Sequence, residues 1–293
     1  MKAYLALAVV CIVWGTTYMA LRIGVENYPP ILFSGIRNAA AGIILLAILF
    51  FSGKLPRLTK KEIIPQLLPG ILLVTIGNGF VGWSERYIPS GLAALIVSLM
   101  PVYVVLINFA TGSESKRPSL AVIGGLVFGF AGIALIFRDN LSDFSIPGYT
   151  FGIVLCFIAV VAWASGSLII KKRKSSTDAF TNAALQLSSG GILLLILSPF
   201  IDGYETIPSF TRAGFYALLY LTFIGSILAY NCYLYALKHL PVSIVSLYTY
   251  INPFIALLVG AIFLNESISW LSWLALASTI CGVYLLTRPK SSE

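Results

Sequence analysis

Apolar residues fall in ten runs separated by short polar stretches, and each run has about the length, ~20 residues, that crosses a bilayer as a helix. They lie at 3–25, 31–52, 63–84, 90–111, 119–137, 148–170, 179–201, 212–236, 242–264 and 270–287, and are numbered helices 1 to 10 here. The connections leave no room for a soluble domain. Two of the runs match. His239 to Glu266 superposes on Tyr87 to Glu114 with Pro241 on Pro89, Pro253 on Pro101 and Glu266 on Glu114, all 152 positions apart. The first proline of each copy stands where a helix begins and no N–H is needed. The second lies deep in the apolar run, where it removes one hydrogen bond and strands the carbonyl four residues back, Val97 or Thr249. In hydrocarbon such a carbonyl needs a partner or a wet cavity, so Pro101 and Pro253 are expected hinges of two broken helices at a central site.

The pairing extends to the other helices at a spacing of 149: Trp14 with Trp163, Arg37 with Gln186 and Gly42 with Gly191. The chain therefore divides into two repeats of five helices, 1–138 and 139–293. Five is odd, so the second repeat enters the membrane inverted, and related conformations open to either side. The fold class expected is all-α integral membrane, with ten transmembrane helices as two inverted five-helix repeats.

Composition agrees, with 58% hydrophobic residues, 10% charged residues and a mean hydropathy of +0.93. The net charge of +8 is a topology signal rather than the mark of a nucleic-acid partner. Fourteen of the 19 Lys and Arg residues fall at the ends shared by the two termini, among them Lys171, Lys172, Arg173 and Lys174, which places both termini in the cytoplasm. Lys2 and the run after it read as a retained first helix, because no small-residue cleavage site follows. Cys11, Cys156, Cys232 and Cys281 all lie in apolar runs and make neither a disulfide framework nor a metal motif. No cofactor is expected.

Trp14-Gly15-Thr16-Thr17 in helix 1, Pro30 followed by Arg37 in helix 2, Pro89 to Pro101 in helix 4, and Pro241 to Pro253 ending in Phe263-Leu264-Asn265-Glu266 resemble the EamA-type transporters of the drug/metabolite transporter superfamily. The likeness covers both repeats, although the first copy ends in Thr111-Gly112-Ser113-Glu114. It implies a cavity built from helices 3, 4, 8 and 9 with help from 1 and 6, and commonly the export of amino acids or other small metabolites.

Candidate cavity residues are Trp14, Thr17 and Tyr18 in helix 1, Asn78, Gly82 and Trp83 in helix 3, Ser98 in helix 4, Trp163 in helix 6, Tyr230 in helix 8, and Ser246, Tyr250 and Asn252 in helix 9. Ser246 and Tyr250 share a helical face with Ser243 and Pro253; the matching face of helix 4 carries Gly91, Ala94, Ser98 and Pro101. Amides and indoles deep in the membrane need hydrogen-bond partners, which interhelical packing satisfies as well as a solute does. Arg37 is read as a gate or structural charge: it snorkels outward, pairs with carbonyls or with Glu26 or Glu85, or holds a solute carboxylate. Glu114 and Glu266 stand where they can cap free N–H groups before the next helix. His239 is expected at the surface, and Gly125 and Gly129 suggest close packing or a homodimer contact.

All acidic residues sit in loops or at helix ends, so no buried carboxylate is expected midway across the membrane for a proton relay, and facilitated or weakly proton-coupled movement down a solute gradient is favoured. The sequence thus reads as an inner-membrane permease exporting small uncharged or zwitterionic metabolites, amino acids first, by alternating access. Import of a vitamin-like solute and flipping of a lipid-linked sugar are the alternatives. An intramembrane enzyme would need a grouping of His, Asp and Glu that the runs do not offer.

Overall fold

A computed structural model describes residues 1–111, 120–139, 142–173, 175, 177–203, 211–240, 242–245 and 248–287. The described part is helical, in ten segments: α1 (Lys2–Asn27), α2 (Pro30–Phe51), α3 (Lys60–Ser84), α4 (Ser90–Ala110), α5 (Leu120–Asp139), α6 (Tyr149–Lys172), α7 (Ala179–Ile201), α8 (Arg212–His239), α9 (Val242–Val245 and Tyr248–Leu264) and α10 (Trp270–Thr287). Among the described residues, 7 helices are long and apolar enough to cross a membrane, namely α1 to α4 and α6 to α8, and shorter apolar stretches lie in α5, α9 and α10. Exposed Ile, Leu and Phe side chains on these helices form the surface that lipid would cover.

The starts of the helices follow from local chemistry. Pro30 opens α2, Thr59 and Glu62 form a capping box before α3, and Asp178 and Thr211 accept N–H groups at the heads of α7 and α8. In the middle of α3, residues Gly70–Asn78 widen to π-helical turns, and the Gly79 N–H reaches back five residues to the Val74 carbonyl. The same widening recurs in α8 over Leu221–Leu228. Turns of this kind release backbone groups from the regular ladder.

Neighbours follow a regular scheme. α2 lies along α7 and α5 along α10, while α1 packs on α8 and α9 as α6 packs on α3 and α4. Adding five to each helix number exchanges these partners. Small residues let the backbones approach: a Cβ on Gly42 would run into Ser188 N, and one on Gly191 into Ala39 N. Gly282 of α10 sits against the backbone of Gly125 and Gly129, with Gly125 O 2.7 Å from where a Cβ would stand. The Gly125 and Gly129 stripe is therefore used for close packing within the chain, one of the two readings its spacing allows.

The two prolines behave differently. The helix is interrupted at Ser98 and Leu99, and Pro101 sits in the first turn of the piece that restarts at Met100, where its missing N–H is harmless. Pro253 instead lies inside the continuous helix Tyr248–Leu264, so no break falls there, because a helix flanked by protein tolerates the loss of one backbone bond. Both prolines are buried. At the end of α9, Asn265 adopts a left-handed φ of 55°, and Glu266 turns back to accept from Ser90 N (2.9 Å), Ser90 Oγ (2.9 Å) and Gly91 N (3.2 Å). The cap is real, but it serves α4 in the other half of the chain rather than the helix that follows. Glu114, Pro241 and Ser246 lie outside the described residues, as do the side chains of Ser243 and Tyr250.

Candidate functional site

A cavity of about 80 Å³ lies between the two halves of the bundle, room for a few waters at roughly 10–15 Å³ each. It is lined by Trp14, Thr17, Tyr18 and Leu21 from α1, Arg37 from α2, Gly77, Asn78 and Val81 from α3, Val97 at the break in α4, Trp163 from α6, Gly225 and Tyr230 from α8, and Tyr248 and Asn252 from α9. Seven of the sequence candidates are thus brought together: Trp14, Thr17, Tyr18, Asn78, Trp163, Tyr230 and Asn252. Three are not. Gly82 lets α3 approach α1 and α2, where a Cβ would come 2.6 Å from Ser34 Oγ. Trp83 turns toward α6 and packs edge-on against Phe151 at 5.1 Å. Ser98 is buried and donates to Leu95 O at 2.6 Å, satisfying itself within the interrupted turn.

The aromatic residues form one cluster. Trp14 meets Trp163 edge to face at 5.4 Å, with Tyr233 and Tyr248 each at 5.1 Å, and Trp163 reaches Tyr230 at 6.3 Å. Such pairs contribute about 0.5–1.5 kcal/mol each beyond burial. Trp14 Nε1 donates to Gly225 O at 3.3 Å, a carbonyl that the widened turn of α8 makes available. Trp163 Nε1 is buried, with the Tyr233 ring beside the indole at 5.9 Å. Asn252, with its amide nitrogen facing the carbonyls, donates to Cys11 O (2.8 Å) and Tyr248 O (3.1 Å), so it fastens α9 to α1 while lining the cavity. Tyr248, which is not among the candidates drawn from the sequence, is buried and contacts Met100 Sδ at 3.3 Å.

Arg37 is 5% exposed and lines the cavity, and its Nε has no acceptor. It pairs with neither proposed acid: Glu26 is taken by Arg22 at 2.7 Å, and Glu85 makes no contact with it. Both carboxylate oxygens of Glu85 are buried without a partner. Glu85 lies at a helix end, where the sequence reading puts the acids, and it is buried because the short turn after α3 is covered by neighbouring helices.

A hydrogen-bonded network lies toward each end of the cavity. Toward the end where α1 begins, Tyr230 donates to Gln186 Oε1 at 2.6 Å and Gln186 to Gln66 Oε1 at 2.7 Å, joining α8, α7 and α3. Beyond this chain a hollow of about 350 Å³, lined in part by Gln186, Asn182, Arg173 and Lys238, opens at that end. Lys171 there donates to Leu237 O (2.9 Å) and Leu240 O (3.1 Å), finishing α8. His239 lies at the surface. At the opposite end Arg22 donates to the backbone carbonyls of Glu85 and Ile88, and Arg86 to Val25 O at 2.8 Å, tying α1 to the turn between α3 and α4.

An all-helical membrane bundle with a polar and aromatic cavity at its centre belongs to the class of solute transporters. The sequence profile of the EamA-like transporter family matches residues 1–138 and again 150–288, and the chain belongs to that family. It is 34% identical over 287 residues to YedA of Escherichia coli (strain K12), an uncharacterized inner membrane transporter, covering 97% of this chain and 90% of that one. It is also 30% identical over 294 residues to the uncharacterized transporter YvbV of Bacillus subtilis (strain 168), covering 99% and 92%. A crystal structure of a protein 18% identical superposes with a TM-score of 0.69 over 97% of this chain and 95% of that one, a likeness of fold.

Proposed function

We propose that the protein is an inner-membrane exporter of small amphipathic metabolites, zwitterionic amino acids foremost, working by alternating access between two inverted five-helix repeats. The reading rests above all on one observation: a central cavity lined by polar and aromatic side chains from both halves of the bundle, with a different hydrogen-bonded network toward each end and Arg37 Nε left without an acceptor beside it. The exchange of helix partners on adding five supports the pseudo-symmetry, and the charge bias supports cytoplasmic termini. A carboxylate meets Arg37, an apolar side chain meets Trp14 and Tyr248, and an ammonium finds aromatic faces. The small volume means that the cavity widens to admit a solute.

Counterflow in proteoliposomes with a panel of labelled amino acids tests this. Wild-type protein exchanges at least one neutral amino acid, and Arg37→Gln raises its half-saturation concentration about 10- to 100-fold, as loss of a buried charge-assisted contact of about 1.5–3 kcal/mol requires. Exchange of no panel member, or unchanged saturation in Arg37→Gln, sinks the assignment.

A further inference from the structure

Glu85 is the buried ionisable group that the scheme above leaves unused. It stands one residue past the end of α3 and is 0% exposed, and neither carboxylate oxygen has a hydrogen-bond partner. The groups facing it come from every packed element. α1 brings Tyr18, Arg22 and Glu26, α2 brings Arg37, α6 brings Cys156, the segment after α9 brings Glu266, and Arg86 follows in its own turn. Neither nearby cation neutralises the carboxyl directly. Arg22 is spent on Glu26 and on the carbonyls of Glu85 and Ile88, and Arg37 lines the cavity without touching it. Cys156 directs its thiol to Ala93 O.

An ionised carboxylate enclosed in this way loses its hydration and gains no donor in return, and such a group takes up a proton instead. Burial pushes the Glu85 carboxyl well above the usual carboxylate range, and Glu266 adds to the rise; Arg22 and Arg37 pull it down without prevailing.

We propose that Glu85 is the proton-binding site of this transporter, protonated while the Arg22 and Arg86 clasp holds α1 to the turn between α3 and α4, and deprotonated when that clasp opens. On opening, the carboxyl O–H bond breaks, its electron pair stays on the carboxylate and the proton passes to water. The new anion then lies between Arg22, freed from its carbonyls, and Arg37 on the cavity wall. A proton and a solute carboxylate thereby compete for the same positive field, which couples their movements. This inference rests on the transporter reading and reverses the expectation that no acid serves a relay.

Two measurements on the full-length protein decide it. The first needs no solute. In lipid, the infrared carbonyl band of a protonated carboxyl persists at about pH 7, well above the ordinary glutamate value of about 4.3, and is missing from Glu85→Gln. The raised value also fixes a sign: stability falls as pH rises from about 4.3 through the folded-state value, and Glu85→Gln abolishes that fall. In the second, proteoliposomes containing a pH-sensitive dye are given the amino-acid panel. Wild type moves protons with solute, while Glu85→Gln keeps counterflow but loses the dye response, and Glu85→Asp restores it with a shifted pH midpoint. No Glu85-dependent band above about pH 5, or a dye response intact in Glu85→Gln, overturns the proposal. If wild type exchanges no panel member, the amino-acid reading falls and the infrared result still decides whether Glu85 holds a proton.

Discussion

Glu266 closes its own helix and caps another one. Leu264-Asn265-Glu266 looks from sequence like a local ending, yet the left-handed turn at Asn265 swings the carboxylate onto the first turn of α4, where free N–H groups and the helix dipole favour an anion. The bond holds the two halves of the chain together near Gly260, whose lack of a Cβ leaves the space the carboxylate occupies. Glu266→Gln keeps the shape and removes the charge. It should cost about 0.5–2 kcal/mol, read as a lower melting temperature in detergent, while Asn265→Gly, which keeps the left-handed turn, should be close to neutral. An unchanged melting temperature in Glu266→Gln would show that the contact carries no net stability. At this scale the sequence identified polar residue types well and directions less well. Asn78 and Trp163 face the cavity as expected, whereas Trp83, five residues along α3 from Asn78, faces α6. Glu85 was hidden because its neighbours in sequence are polar, and only the covering helices bury it.

The apolar runs fixed the helices to within a few residues, since length and hydropathy alone decide what can cross hydrocarbon. Departures within the helices were less legible. A proline announces a lost hydrogen bond but not where the chain bends, and α4 yields at Ser98 and Leu99 while α9 continues through Pro253. The widened turns in α3 and α8 carry no proline at all, only Gly77 and Gly225 near the cavity they serve. Glycine spacing was the better guide: the repeat-related Gly42 and Gly191 each bring α2 against α7 backbone to backbone. Gly42→Ala and Gly191→Ala should each destabilise by about 1–3 kcal/mol, because the obstructing atoms are backbone and cannot rotate away. Gly124→Ala, where the nearest atom would be 3.5 Å away, should be neutral or stabilise by up to about 1 kcal/mol. Equal thermal stabilities for the three variants would count against α2 and α7 being the tightest seam of the bundle.

Over the whole molecule, the hydrogen-bonded networks toward the two ends of the cavity differ in kind. One is a neutral chain, Tyr230 to Gln186 to Gln66, with the larger hollow behind it; the other is built from guanidinium groups on backbone carbonyls. Arg37 and Gln186, 149 positions apart, mark the difference, since one half places a fixed charge where the other places an amide. A neutral lock is the weaker of the two, because a charge-assisted bond is worth about twice a neutral one. Opening should therefore begin at the end where α1 starts. Tyr230→Phe removes the donor and leaves Gln186 Oε1, in a side chain 1% exposed, without its bond. The penalty of about 1–3 kcal/mol falls on the closed form alone and shifts the population about 5- to 100-fold toward opening at that end. A cysteine placed at Val97, on the cavity wall, in a chain with Cys11, Cys156, Cys232 and Cys281 replaced, reports this through maleimide labelling in oriented vesicles. Tyr230→Phe should raise labelling from the side of the α1 start severalfold and leave or lower it from the other side; equal rates with and without the substitution would mean that the tyrosine and glutamine chain is packing and not a gate.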